Sequence, residues 1–240
     1  MSKIQDAFKG GKAFIPFISA GDHGIETTER YIRIMAKAGA DMIEIGIPFS
    51  DPTAEGSVIQ EASSRALSTG VKIDDIFAMV DRLRTGQDAL TLPLVFMTYL
   101  NPIYVYGREK FLSRCQEVNI SGLIIPDMPF EEKGELQGYA KEHGVDIVSL
   151  IAPTSENRIG MIAKEAQGFI YCVSSLGVTG VRSEIKTDIK SIVDTIRKYT
   201  DIPVAVGFGI STPDQAAAMA KVSDGAIVGS AIVKLVAQYG

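Results

Sequence analysis

The chain has 240 residues, 46% of them hydrophobic and 22% charged, which is the composition of an ordinary globular protein and excludes a fibrous or disordered one. A formal net charge of -5 argues against a nucleic-acid footprint, which needs a basic face. No apolar run approaches the roughly 18 residues of a membrane span, and the opening MSKIQDAF is too polar for a signal peptide, so a cytoplasmic protein is expected.

From the N-terminus onward, short β-type runs alternate with amphipathic stretches. Strands are expected at 13–19, 42–46, 94–97, 122–125, 146–151, 168–173, 204–206 and 226–228. Helices are expected over 26–38, 55–67, 74–83, 108–118, 131–143, 157–165, 188–199 and 213–220, with a short last helix at 231–238. Such alternation implies βαβ units and a parallel sheet. Eight strand candidates in a chain of this length predict an α/β fold of the (β/α)₈ TIM-barrel type, a single domain over 1–240 with a short N-terminal helix. A doubly wound open sheet is the alternative, but no G-x-G-x-x-G follows the first strand. Cys115 and Cys172 sit far apart in apolar surroundings and read as buried free thiols. His143 falls at a helix stop, and His23 has no neighbours that complete a metal set.

In a barrel, chemistry sits where strands end and βα loops begin. The second run is the most informative. Strand alternation puts Ile43, Ile45 and Ile47 on one face and Met42, Glu44 and Gly46 on the other. A carboxylate on an inward apolar face is costly unless it is paired or used, and no Lys or Arg lies on the other expected strands. Glu44 is therefore the candidate acid–base group, with a pKa raised towards neutrality by poor solvation. Tyr171 has the matching inward position on the sixth run and is its candidate hydrogen-bond partner. Asp51, Glu55 and Asp127 are further acids at these strand ends. Asp51 suits a turn or cap, and Glu55 is expected in the first turn of the following helix, where the dipole stabilises an acid.

Three glycine-bearing loops fall late in the chain, at 174–180, 207–209 and 229–230. Glycine lets backbone N–H groups approach an anion, and the last of these loops opens a helix, so a phosphate site is expected there. The residues alone thus predict a phosphorylated small-molecule substrate and acid–base catalysis by Glu44 with a second loop carboxylate. No Lys on a strand interior supports a Schiff-base route.

Together, 16–22 (PFISAGD), 44–52 (EIGIPFSDP), 97–102 (MTYLNP), 177–180 (GVTG), 207–211 (GFGIS) and 229–233 (GSAIV) resemble the tryptophan synthase α-subunit family, in order and through nearly all of the chain. The resemblance implies a TIM barrel that cleaves indole-3-glycerol phosphate to indole and glyceraldehyde 3-phosphate by a retro-aldol step, the last stage of tryptophan biosynthesis. It implies no cofactor in this chain, and a partner β subunit carrying pyridoxal phosphate in an α2β2 heterotetramer. No nucleic-acid or membrane partner is expected. By position, Glu44 matches the general acid–base, Glu55 the acid that meets the indole nitrogen, and Tyr171 the hydroxyl beside the glutamate. Thr179 matches a loop residue that closes on the second acid. Gly180, Gly207, Phe208, Gly209, Gly229 and Ser230 match the phosphate site, and Phe17 and Ile59 the walls of the indole pocket. Loops 53–57 and 176–187 are candidate lids.

Three features depart from the family pattern. Glu55 stands where an aspartate is usual, so the charge is kept and the reach changes. Ser57 replaces the usual proline, which would loosen the helix start. The chain stops at Gly240, where the family continues into a fuller last helix, so the eighth helix would cover less of the barrel. Other readings are a stand-alone indole-releasing lyase, a weakly catalytic activator of the β subunit, or a barrel isomerase of a sugar phosphate. The last would leave the PFSDP loop unexplained.

Overall fold

The apolar runs form nine parallel strands among the described residues, because one run is shared between two neighbours. The computed structural model describes residues 2–154, 156–173, 188–207 and 209–240. Strand β1 (Ala13–Ser19) leads to α1 (Ile25–Lys37), and β2 (Ile43–Gly46) to α2 (Ser57–Ser68) and α3 (Ile73–Arg84). Strand β3 (Leu94–Met97) leads to α4 (Leu100–Tyr106) and α5 (Arg108–Glu117), and β4 (Gly122–Ile124) to α6 (Gly134–Glu142). The fifth run splits into β5 (Asp146–Ile147) and β6 (Ser149–Ile151), followed by α7 (Glu156–Lys164). Then come β7 (Ile170–Val173), α8 (Ile189–Arg197), β8 (Val204–Gly207), α9 (Pro213–Val222), β9 (Gly225–Val228) and α10 (Ser230–Tyr239). The strand order is β5-β4-β3-β2-β1-β9-β8-β7-β6. Its two ends are separated only by Val148, so the sheet closes into the expected TIM barrel.

The split has a local cause. β5 ladders with β4, and β6 ladders with β7. The Val148 N–H still donates to Leu123, at 2.9 Å, but beyond it β4 turns away. The Met128 N–H bonds to the Ile125 carbonyl, and Pro126 has no N–H to offer a ladder.

Alternation along the strands sorts side chains into separate cores. Phe17, Met42, Val95, Met97, Ile124, Val148, Phe169, Tyr171 and Ala205 fill the barrel. Ile43, Ile45, Phe96 and Leu123 face outward and pack with Ile32, Phe77, Phe111 and Leu136 of the surrounding helices. Ile170, Cys172, Val204 and Val206 do the same against Ile159 and Val193. The expected N-terminal helix is a 3₁₀ turn, Lys3–Phe8, which stoppers the barrel floor with fully buried Ile4. A side chain at Gly122 would meet Ile4 Cδ1 at 2.6 Å, so that glycine makes the socket. Helix α4 was not legible from periodicity, since Pro102 interrupts its pattern. The proline falls in the first turn, where its missing N–H costs nothing, and Gly107 (φ 97°) ends the helix.

Candidate functional site

Glu44 sits mid-barrel with Phe17 and Val95 as its register neighbours on either side. It is 1% exposed, and its Oε2 has no hydrogen-bond partner among the described residues. Burial in this apolar setting pushes its carboxyl up to about 8, and the nearby Glu55 adds to the rise. The expectation of a raised pKa on an inward carboxyl is met.

Glu55 reaches the same space from the connection between β2 and α2, and is itself buried at 7% exposure. The sequence predicts it in the first turn of the helix, but α2 begins at Ser57, with Gly56 as an extended N-cap (φ -84°, ψ 172°) that makes no side-chain cap. Glu55 is therefore not a capping acid; burial pushes its carboxyl up to about 7. Its loop is held at two points. The Ala54 N–H donates to the Tyr99 hydroxyl at 3.0 Å, and Gln60 Nε2 donates to the Glu55 carbonyl at 2.7 Å.

Phe17, Glu44, Glu55, Ile59, Tyr171, Gly209, Gly229 and Ser230 all line one cavity of about 470 Å³. Tyr171 is 5% exposed, and its phenol is pushed well above the usual range by burial and then by the field of Glu44. Gly207, expected at the phosphate site, does not line the cavity. A Cβ there would lie 2.3 Å from the Tyr171 hydroxyl, so the missing side chain clears room for that group. Gly46 does the same for Phe17, whose ring tip would lie 2.6 Å from an added Cβ. Gly209 (φ 80°) and the start of α10, N-capped by Gly229, form the third wall, where the positive end of a helix favours an anion. Thr179, Gly180 and Phe208, together with the candidate lid 176–187, lie outside the described residues.

Met97, Ile210 and Ile227 complete the cavity and were not singled out from the sequence. Strand alternation carried enough signal to find Met97, two residues beyond inward Val95, and Ile227. Asp51 and Asp127 do not line the cavity: Asp51 is exposed, and Asp127 accepts the Leu100 N–H at 3.0 Å. His143 rests its Nδ1 on Gln116 at 2.8 Å, and both cysteines are free and buried. Among the described residues no group of three metal-ligating side chains comes together. A larger cleft, about 970 Å³, opens between the β4–α6 connection and α7. Its cations are engaged, Lys133 with Glu165 and Arg158 with Glu131, and Glu165, the carboxylate in its lining, is itself held in that ion pair, so size does not make it the reactive site.

A family model described as tryptophan synthase alpha chain matches residues 4–240. The tryptophan synthase alpha chain of Lacticaseibacillus casei is 50% identical over 238 residues, covering 99% of this chain and 88% of that protein. Among solved structures, the tryptophan synthase subunit alpha of Campylobacter jejuni superposes with a TM-score of 0.87 at 34% identity, covering 98% of this chain and 93% of the other. A chain of Mycobacterium tuberculosis tryptophan synthase superposes with a TM-score of 0.90 at 31% identity, covering 99% and 92%.

Proposed function

The chain belongs to the tryptophan synthase alpha chain family, and from that premise we propose that its cavity holds indole-3-glycerol phosphate with Glu44 as the proton-transfer group. The protein is a carbon–carbon lyase of tryptophan biosynthesis that cleaves this substrate to indole and glyceraldehyde 3-phosphate. The observation that carries the assignment of Glu44 is a carboxyl 1% exposed, with one oxygen unpartnered, lining a cavity that also meets a helix N-terminus.

The chemistry needs a proton delivered to indole C3 and a proton removed from the glycerol hydroxyl on the carbon bonded to C3. Protonation at C3 leaves positive charge on the ring nitrogen. Loss of the hydroxyl proton then forms the aldehyde C=O as the carbon–carbon bond breaks, and that bond's electron pair restores the indole. A carboxyl with a pKa of about 8 is protonated at neutral pH and can give the first proton. The carboxylate it becomes is the base for the second. Glu55 accepts the indole N–H, and because the ring charge exists only on the way to products, its negative charge favours the transition state over bound substrate. Tyr171 lies against the Glu44 side of the cavity, and Phe17 and Ile59 flank the ring. Gly209, Gly229 and Ser230 bind the phosphate, and Thr179, Gly180 and Phe208 keep the roles that the family resemblance implies for them.

An alpha chain implies a beta subunit. We assign this one to an α2β2 complex in the cytoplasm, with pyridoxal phosphate confined to the partner that receives indole and residues 1–240 acting as one domain. No described helix is long and apolar enough to cross a membrane. The test is indole release from indole-3-glycerol phosphate by the full chain, with and without a β subunit. Release that rises on adding the β subunit is expected, and no indole under either condition would overturn the reading.

A further inference from the structure

We infer that Asp127, an acid outside the cavity, is a positioning residue for the reaction, holding the loop that carries Glu55 through Tyr99. The inference rests on the role proposed above for Glu55 and extends it to the neighbouring strand ends.

Helix α4 starts immediately after β3, and its N-cap is Tyr99. A helix start leaves backbone N–H groups without intrahelical partners, and Ser, Thr, Asp or Asn at the N-cap usually serves one of them. Tyr99 makes no such side-chain cap. Its hydroxyl is committed 45 residues back, where it accepts the Ala54 N–H at 3.0 Å. The cap comes from the next strand end instead: Asp127 accepts the Leu100 N–H with both oxygens, at 3.0 and 3.3 Å. One series of contacts therefore crosses three adjacent strand ends, from Asp127 after β4, to Leu100 and Tyr99 after β3, to Ala54 and Glu55 after β2. Tyr99 is only 2% exposed and packs its ring on Phe49 at 5.3 Å, so both arms of the loop between β2 and α2 rest on this one side chain. Asp127 is exposed and lines no part of the cavity. Its influence on chemistry runs through where Tyr99 stands, and so through where the Glu55 carboxyl points.

Steady-state kinetics of the full chain with its β subunit test this, using Asp127→Ala, Asp127→Asn, Tyr99→Phe and the Asp127→Ala/Tyr99→Phe double variant. A displaced Glu55 weakens an interaction made mainly in the transition state, so Asp127→Ala and Tyr99→Phe should each lower kcat about tenfold with KM within about threefold. Asp127→Asn keeps an acceptor for the Leu100 N–H and should stay within about twofold of the parent. The double variant should be no worse than the poorer single, because both act on one series of contacts. The inference is overturned by any of three results: kcat unchanged in Asp127→Ala, Asp127→Asn as impaired as Asp127→Ala, or effects of the two sites that multiply. Loss of thermal stability with unchanged kcat would make Asp127 a plain helix cap and overturn it equally. If the parent protein itself releases no indole, the function reading fails before any variant is compared.

Discussion

The two ends of this barrel treat their polar groups differently. At the floor the half-buried polar groups are mostly paired, Arg84 Nε being an exception among the described residues. Ser2 is hydrogen-bonded to Asp146, and Arg84 donates to the carbonyls of Leu90, Leu92 and Asn119 at 2.7, 2.8 and 3.0 Å. Asp224 pairs with Arg197 and accepts the Val204 N–H, both at 3.0 Å. At the mouth, Glu44 is buried with an oxygen left over, Glu55 stands near enough to raise its pKa, and glycines hold space open for aromatic rings. A buried polar group that is paired contributes to holding the chain together, while one left short of partners stores reactivity. The barrel keeps these two uses about one strand length apart, so the costs at the mouth are offset by contacts that never meet substrate.

The largest effect expected from breaking this contrast is at Glu44. Glu44→Gln keeps shape and removes the mobile proton, so substrate should still bind while kcat falls by at least about 10²-fold. Near-normal turnover in a stopped indole assay would remove Glu44 from its role. The same variant probes stability. The folded pKa of about 8 lies above the ordinary value of 4.5. The contribution of Glu44 is therefore complete below about pH 4.5 and is lost as pH rises through 8. Denaturant melts should show stability declining across that window by on the order of 2–5 kcal/mol. In Glu44→Gln most of the slope should vanish, leaving the smaller part that Glu55 contributes in the same direction; an unchanged slope would show that Glu44 does not carry it.

At the floor the readouts should swap. Arg84→Ala strands three carbonyls and should lower stability by about 1–3 kcal/mol, with kcat per folded molecule unchanged. A fall in kcat without a fall in melting temperature would mean that floor and mouth are not separable. The smallest expected effect is Glu55→Asp. It keeps the charge and shortens the reach, so activity should be kept or modestly improved, and a collapse of kcat would show that the loop clamped by Tyr99 and Gln60 is fitted to the longer side chain.

The periodicities of the chain determined most of the architecture. A period of two in 42–46 places Glu44 inward, and alternation of strands with helices predicts the barrel. Those patterns are local consequences of burying one face of each element. What they could not show were outcomes of contacts between distant segments. The fifth run divides because β4 leaves at Pro126, and α4 forms because a first-turn proline is harmless and Asp127, 27 residues on, supplies its cap. Glu55 proved to be a buried loop acid because Gly56 stays extended, and Gly207 proved to serve the Tyr171 hydroxyl. Sequence by itself determined which residues face inward and which loops can approach an anion. Only the tertiary structure decided that Glu44 keeps an oxygen unpartnered among the described residues, because pairing depends on what the neighbouring strand ends bring within about 3 Å.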